Sequence, residues 1–189
     1  MLKLYDGMSL YHGSYCEVRM PDLAKCAKGK DFGRGFYLTS SKEQAVKFLK
    51  TSIVKAVTAG LIEHGQDFGY VAKFEFVNKN NMSVHVFHEA DYEWLHCVAA
   101  HRKKRIFPEV VNKMDKFDVI GGKIADDTTN AVLAAYVAGA FGAVGSRDAD
   151  DFCIRQLLPD NLKDQYCFKT EAALDCLRFM ESEQIWLKK

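Results

Sequence analysis

Two short apolar runs, at residues 8–12 and 35–39, each stop abruptly at polar or small residues, and both read as strands. The first ends in "YHGS" and the second lies within "GRGFYLTS". Between them, "YCEVRMPDLAKCAKGKDFGRG" carries the Pro, Gly and Lys content of a surface loop. The period then changes. In "SSKEQAVKFLKTSIVKAVTAGLIEHG" the residues Ala45, Phe48, Leu49, Ile53, Val57 and Leu61 recur at three- and four-residue steps, which predicts an amphipathic helix. Ser40, three before Glu43, has the capping-box spacing, and Gly65 is a natural stop.

Farther on, 70–77 and 82–88 are rich in β-branched and aromatic residues around a turn-like "NKNN", so they read as an antiparallel pair. A helix is expected over 90–104, a strand in "FDVIGG", and a helix opening at "DDTTN". The last third adds a strand at 165–168, a helix over 170–180 and a closing strand in "QIWLK". No repeat or linker interrupts the chain, which predicts one α+β domain over residues 1–189 with a largely antiparallel sheet.

Composition narrows the class. With 26 basic and 25 acidic residues, nothing in the charge balance calls for a polyanion partner. The start lacks the basic flank and long apolar stretch of a secretory signal, and the run at 131–145 falls short of the roughly 20 residues that span a bilayer. The six cysteines (Cys16, Cys26, Cys97, Cys153, Cys167, Cys176) are scattered without a C-x-x-C pair, as expected of reduced thiols in a cytoplasmic protein.

Three segments place a ligand-suited residue at a strand end: His12-Gly13-Ser14, Gly35-Phe36-Tyr37, and Gln165. Singly, each reads as well as a turn or a buried aromatic. Together they have the order of the ADP-ribosyltransferase fold, in the branch of the poly-ADP-ribose polymerases and diphtheria-type toxins, whose signature is a histidine, a tyrosine and a glutamate on three strands. "YHGS" resembles the first motif. "GRGFYLTSSKEQAVKF" is similar to the second, with Phe48 as the later aromatic, and "QYCF" sits at the third. The whole chain, including "DFGRGFYLTSSKEQA", "ADYEWL" and "QYCFKTEAAL", looks like a family of small bacterial proteins assigned to this fold.

The resemblance implies a split, largely antiparallel sheet with flanking helices, NAD as substrate, and transfer of ADP-ribose to an acceptor. Breaking the nicotinamide–ribose bond builds positive charge on the sugar, so orientation and electrostatics do most of the work. His12 would hydrogen-bond the adenosine ribose, Gly13 would offer its backbone to the nicotinamide carboxamide, and Ser14 would add a hydroxyl. Tyr37, flanked by Gly35, would stack on the nicotinamide ring, with Phe48 either the opposing platform or a core residue.

Gln165 departs from the pattern, since an amide accepts a hydroxyl's hydrogen bond but has no proton-accepting carboxylate. Chain elongation is thereby disfavoured. Single transfer, slow hydrolysis, a catalytically silent NAD- or ADP-ribose-binding module, or a carboxylate from elsewhere remain. For that carboxylate Glu89, Asp91, Asp126, Asp127 and Asp164 are candidates, and Asp91 is preferred because "EADYEW" crowds acids and aromatics. Each also reads as a cap or solvated acid.

The remaining signals are weaker. "HRKKR" suits a helix C-terminus as well as a nucleic-acid contact. Neither Cys97 with His101 nor His85 with His88 makes a four-ligand metal pattern. An RNA 2'-phosphotransferase shares the fold but would need more basic residues. The acceptor, macromolecule or small molecule, is not legible. Bacterial relatives of the fold act as toxins, so the resemblance implies a toxin role and an antitoxin partner.

Overall fold

The computed structural model describes residues 2–79, 82–103, 105–125, 127–157 and 162–187, with Asp127 and Thr128 in backbone only. Among the described residues, seven strands form two sheets. In the first, β1 (Ser9–Ser14) and β7 (Leu177–Trp186) flank β3 (Phe68–Phe76), all antiparallel. In the second, the order is β2 (Phe36–Leu38), β6 (Asp164–Phe168), β5 (Val119–Lys123), β4 (Val84–Val86). Only the β4–β5 pair there is parallel. Six helices are described: α1 (Lys42–Thr58), α2 (Tyr92–Arg102), α3 (Pro108–Met114), α4 (Asp127–Val137), α5 (Arg147–Leu157) and α6 (Glu171–Leu174). The α+β class and the mostly antiparallel pairing are as expected, and none of the described helices is long and apolar enough to cross a membrane.

Alternating side chains divide the interior into layers. Leu10 of β1 and Phe74 of β3 meet Phe36, Leu38, Tyr166 and Phe168 of the second sheet in the space between the sheets. The second sheet's other face, with Ile120 and Cys167, packs on Trp94, Leu95 and Val98 of α2, Leu133 and Tyr136 of α4, and Cys153 of α5. Helix α1 covers the outer face of the first sheet, setting Ala45 and Leu49 against Val71.

Several expectations change. The segments 70–77 and 82–88 do not pair with each other, because both edges of β3 are taken by β1 and β7. Instead β4 runs parallel to β5, which requires the crossover that α2 and α3 supply. The helix expected over 170–180 is the short α6 followed by β7, whose Phe179 packs edge-on against Phe74 with ring centroids 5.8 Å apart. The cap of α1 is Ser41, accepting from the Gln44 amide at 3.2 Å, while the Ser40 hydroxyl donates to Asp164. Helix α1 ends at Thr58 before Gly60 rather than at Gly65, and α3 and α5 have no counterpart among the expected elements.

Candidate functional site

The two sheets are joined where β1 meets β2, and there they part. Among the described residues, one bridge links these strands: Tyr11 and Thr39 exchange both backbone hydrogen bonds, at 2.8 and 2.9 Å. Successive residues of a strand aim their backbone groups to opposite edges. Tyr11 therefore fixes the phase of β1: its odd residues face β2, and its even residues face β3, as Met8 does in accepting from Phe76 N. Gly13, the next odd residue, turns its N–H and C=O toward β2, with which β1 forms no further bridge among the described residues. By the same phase, the Tyr37 N–H and C=O face β1.

His12 spans from β1 to β2 at this point. Its Nδ1 lies 2.8 Å from the Tyr37 carbonyl oxygen, which can only accept, so Nδ1 carries the hydrogen and Nε2 is a bare acceptor. The ring leans on Phe36 with centroids 4.4 Å apart. Burial draws the imidazole below its ordinary pKa, against the smaller opposing effect of the Tyr37 carbonyl, so His12 is neutral near pH 7. Gly13 is required for a different reason: a Cβ there would lie 2.1 Å from the Ala45 carbonyl oxygen of α1.

Tyr37 pairs with Cys167 of β6, which puts Tyr37 and Gln165 on diagonal positions of the helix-facing surface. The Tyr37 hydroxyl is held by the loop before it, accepting from Phe32 N at 2.9 Å and donating to Gly33 O at 2.8 Å. The Phe32 ring, fully buried, lies nearly parallel to the Tyr37 ring at 6.5 Å. Burial, with Cys167 adding to it, holds the Tyr37 phenol well above its ordinary pKa, so this hydroxyl is not a base.

Gln165, 8% exposed, donates from Nε2 to Asp31 Oδ2 at 2.7 Å and to the Lys123 carbonyl at 3.1 Å. Asp31 also accepts from Ala125 N at 3.1 Å through Oδ2, while its Oδ1 meets Arg102 Nε at 2.8 Å and Nη2 at 2.6 Å. A buried carboxylate thus stands against the residue at the position where the resemblance calls for a glutamate.

His12 and Tyr37 are brought into hydrogen-bonding contact, and Tyr37 and Gln165 onto one face. His12 packs on the Phe36 side of β2, and among the described residues no hydrogen bond joins it to Gln165. Ser14 is buried and turns toward its own loop, 3.8 Å from the Cys16 sulfur. Gly35 is set by packing, since a Cβ would lie 2.5 Å from the Cys167 sulfur. Phe48 is not a core residue: it is 40% exposed on α1, with the Lys55 ammonium 5.4 Å from its ring centre.

The expected outside carboxylates lie elsewhere. Asp91 caps α2 by accepting from Trp94 N at 3.0 Å, so the crowding in "EADYEW" has a structural cause. Asp164 accepts the Ser40 hydroxyl at 2.6 Å, and Glu89 is exposed. Asp126 and the Asp127 side chain fall outside the described residues. Surface depressions of about 500 and 510 Å³ are lined by Phe141, Phe152 and Arg155, and by Arg34, Lys169 and Thr170; neither includes His12, Tyr37 or Gln165.

Asp31 is the residue sequence reasoning missed. The available signal was a lone acid among Lys28, Lys30 and Arg34, directly before an aromatic and a glycine, within a stretch assigned to surface loop.

Burial also lowers the pKa of His85 and His101. The folded state holds all three imidazoles neutral, whereas an unfolded histidine titrates near pH ~6.5. Below that pH the unfolded chain binds more protons, so stability falls as pH drops through 6.5 toward the lowered folded values. Urea midpoints are expected to decrease between pH 7.5 and 5.5, and less steeply in His12→Gln. A midpoint constant over that range would contradict the assignment of neutral buried imidazoles.

Residues 8–179 match the model of a family described as protein of unknown function (DUF3990). No curated protein matches the chain.

Proposed function

The chain belongs to the DUF3990 family, and we propose that it binds NAD across the split between β1 and β2 and transfers ADP-ribose to a nucleophilic acceptor. The observation that supports this reading is the orientation of the Gly13 backbone. Its N–H and C=O face β2 beyond the bridge that joins the two sheets, beside the neutral acceptor Nε2 of His12. A primary carboxamide such as that of nicotinamide offers one acceptor and two donors, the complement of a backbone N–H and C=O. A neutral imidazole nitrogen accepts from a ribose hydroxyl.

In this reading the C1'–N bond to nicotinamide breaks with its electron pair leaving on the ring nitrogen, so nicotinamide departs neutral. The cationic ribose carbon is then attacked by the acceptor's lone pair, and the acceptor's proton passes to solvent or to a base on the acceptor's side. Gln165 takes no proton at neutral pH, which limits the chemistry to acceptors that lose theirs readily.

Gln165 also favours a second reading from a different class, a module that holds NAD without cleaving it. The two separate on one experiment: incubation of the purified protein with labelled NAD and cell lysate, for wild type, His12→Ala, Tyr37→Ala and Gln165→Ala. Label incorporation in wild type that falls about 10-fold in His12→Ala, the scale of one lost hydrogen bond to a buried group, supports transfer. Saturable binding without label or free nicotinamide selects the silent module, and absence of NAD binding ends both.

A further inference from the structure

We propose, on the basis of the NAD-binding reading above, that Asp31 is a positioning residue that locks the Gln165 amide with Oε1 toward the ligand, making residue 165 a dedicated acceptor for a ribose hydroxyl. The geometry leaves one orientation. Two acceptors, Asp31 Oδ2 at 2.7 Å and the Lys123 carbonyl at 3.1 Å, face the end of the Gln165 side chain from within the protein. A primary amide has one donor group and one acceptor group, and the two N–H bonds match these two acceptors. A flipped amide would set Oε1 against a carboxylate and a carbonyl, with no hydrogen between them.

Asp31 cannot relax that constraint by becoming a donor. Arg102 grips its Oδ1 with Nε and Nη2, and the Ala125 amide donates to Oδ2, so both oxygens are already accepting from donors. Among the described hydrogen bonds none reaches Gln165 Oε1, and it is not among the buried polar atoms left without a partner. This oxygen therefore has no described partner and keeps some contact with solvent.

The pairing accounts for glutamine where the resemblance calls for glutamate. A carboxylate at 165 would stand against Asp31 at hydrogen-bond distance, and two carboxylates in one buried site cannot both ionise. Glutamine keeps an acceptor oxygen at that point without a second charge. The consequence is selectivity: the site reads a hydroxyl as donor and disfavours a ligand lacking it.

The test is equilibrium binding of NAD, and of the NAD analogue lacking the 2'-hydroxyl of the nicotinamide ribose, to the full chain. Asp31→Asn leaves its oxygen to Arg102 and turns a donor toward Gln165, flipping the amide. Affinity for NAD is expected to fall about 10-fold, the scale of one lost hydrogen bond to a buried group. Gln165→Glu alone is expected to fall similarly. The double variant Asp31→Asn/Gln165→Glu is expected to bind more tightly than Gln165→Glu alone, because the amide introduced at position 31 would donate to the new carboxylate, and more weakly than wild type, because the Lys123 carbonyl would then face an oxygen. Wild type is expected to bind the deoxy analogue about 10-fold more weakly than NAD.

A double variant no better than the worse single variant, or an Asp31→Asn affinity equal to wild type, would overturn the assignment. Should a single variant fail to fold by circular dichroism, the wild-type comparison of NAD with the deoxy analogue decides, and equal affinities would overturn it. Loss of binding in His12→Ala with none in Asp31→Asn would remove this proposal alone, whereas a wild type that binds neither ligand would remove the NAD reading as well.

Discussion

Replacing Arg102 by alanine is expected to lower the unfolding free energy by about 3–5 kcal/mol at pH 7.5, the range for removing one partner of a buried ion pair. Asp31 is 8% exposed, and without the guanidinium its charge would keep only the Gln165 amide and the Ala125 N–H. Arg102 also donates to Asn130 Oδ1 at 2.8 Å and to the Ala125 carbonyl at 2.7 Å, so one side chain ties the loop before β2, the end of α2, the segment after β5 and α4. Urea unfolding of wild type and Arg102→Ala at pH 7.5 measures this. A loss below about 1 kcal/mol, the range of an exposed ion pair, would contradict it.

Gly13→Ala is expected to cost on the order of 3 kcal/mol, the upper range for forcing volume into a packed site. The added methyl would meet a backbone atom, the Ala45 carbonyl oxygen at 2.1 Å, and cannot be relieved by a side-chain rotation. Helix α1 would have to lift from β1, carrying Leu49 from its contact with Val71. Urea midpoints compared with Ser14→Ala check this, the neighbouring change removing an atom instead of adding one. A Gly13→Ala variant as stable as wild type would show that α1 is free to move.

Both effects act on residues whose importance the sequence conveys unevenly. Gly13 stands out because it follows a strand directly and is flanked by His12 and Ser14, though the cause of its identity, the approach of α1, involves Ala45 and lies beyond any local pattern. The placement of the three motif residues is readable in part. His12 and Tyr37 meet through a carbonyl and an imidazole, and Gln165 shares a face with Tyr37 through the β2–β6 register.

What escapes reading is long-range. Asp31 lies 134 positions before Gln165, and nothing in "KGKDFGRG" reveals a partner at that separation. The parallel partner of β4 is hidden because a short turn-like segment between two β-rich runs outweighs the strand–helix–strand order that follows. The chain from 170 onward misleads because "EAALDCL" continues a helical period that the fold ends at Leu174, where β7 soon begins its long pairing with β3. Tertiary pairing overrides local propensity in both places.

The NAD reading places the nicotinamide end of the dinucleotide on the backbone of Gly13, at the parting of the two sheets. An amide-resolved magnetic resonance titration of the ¹⁵N-labelled protein with NAD observes that backbone directly. Saturable shifts of the Gly13 and Tyr37 N–H signals are expected, reproduced at Gly13 by nicotinamide alone. Saturable shifts confined to distant residues, with Gly13 and Tyr37 unmoved, would contradict it.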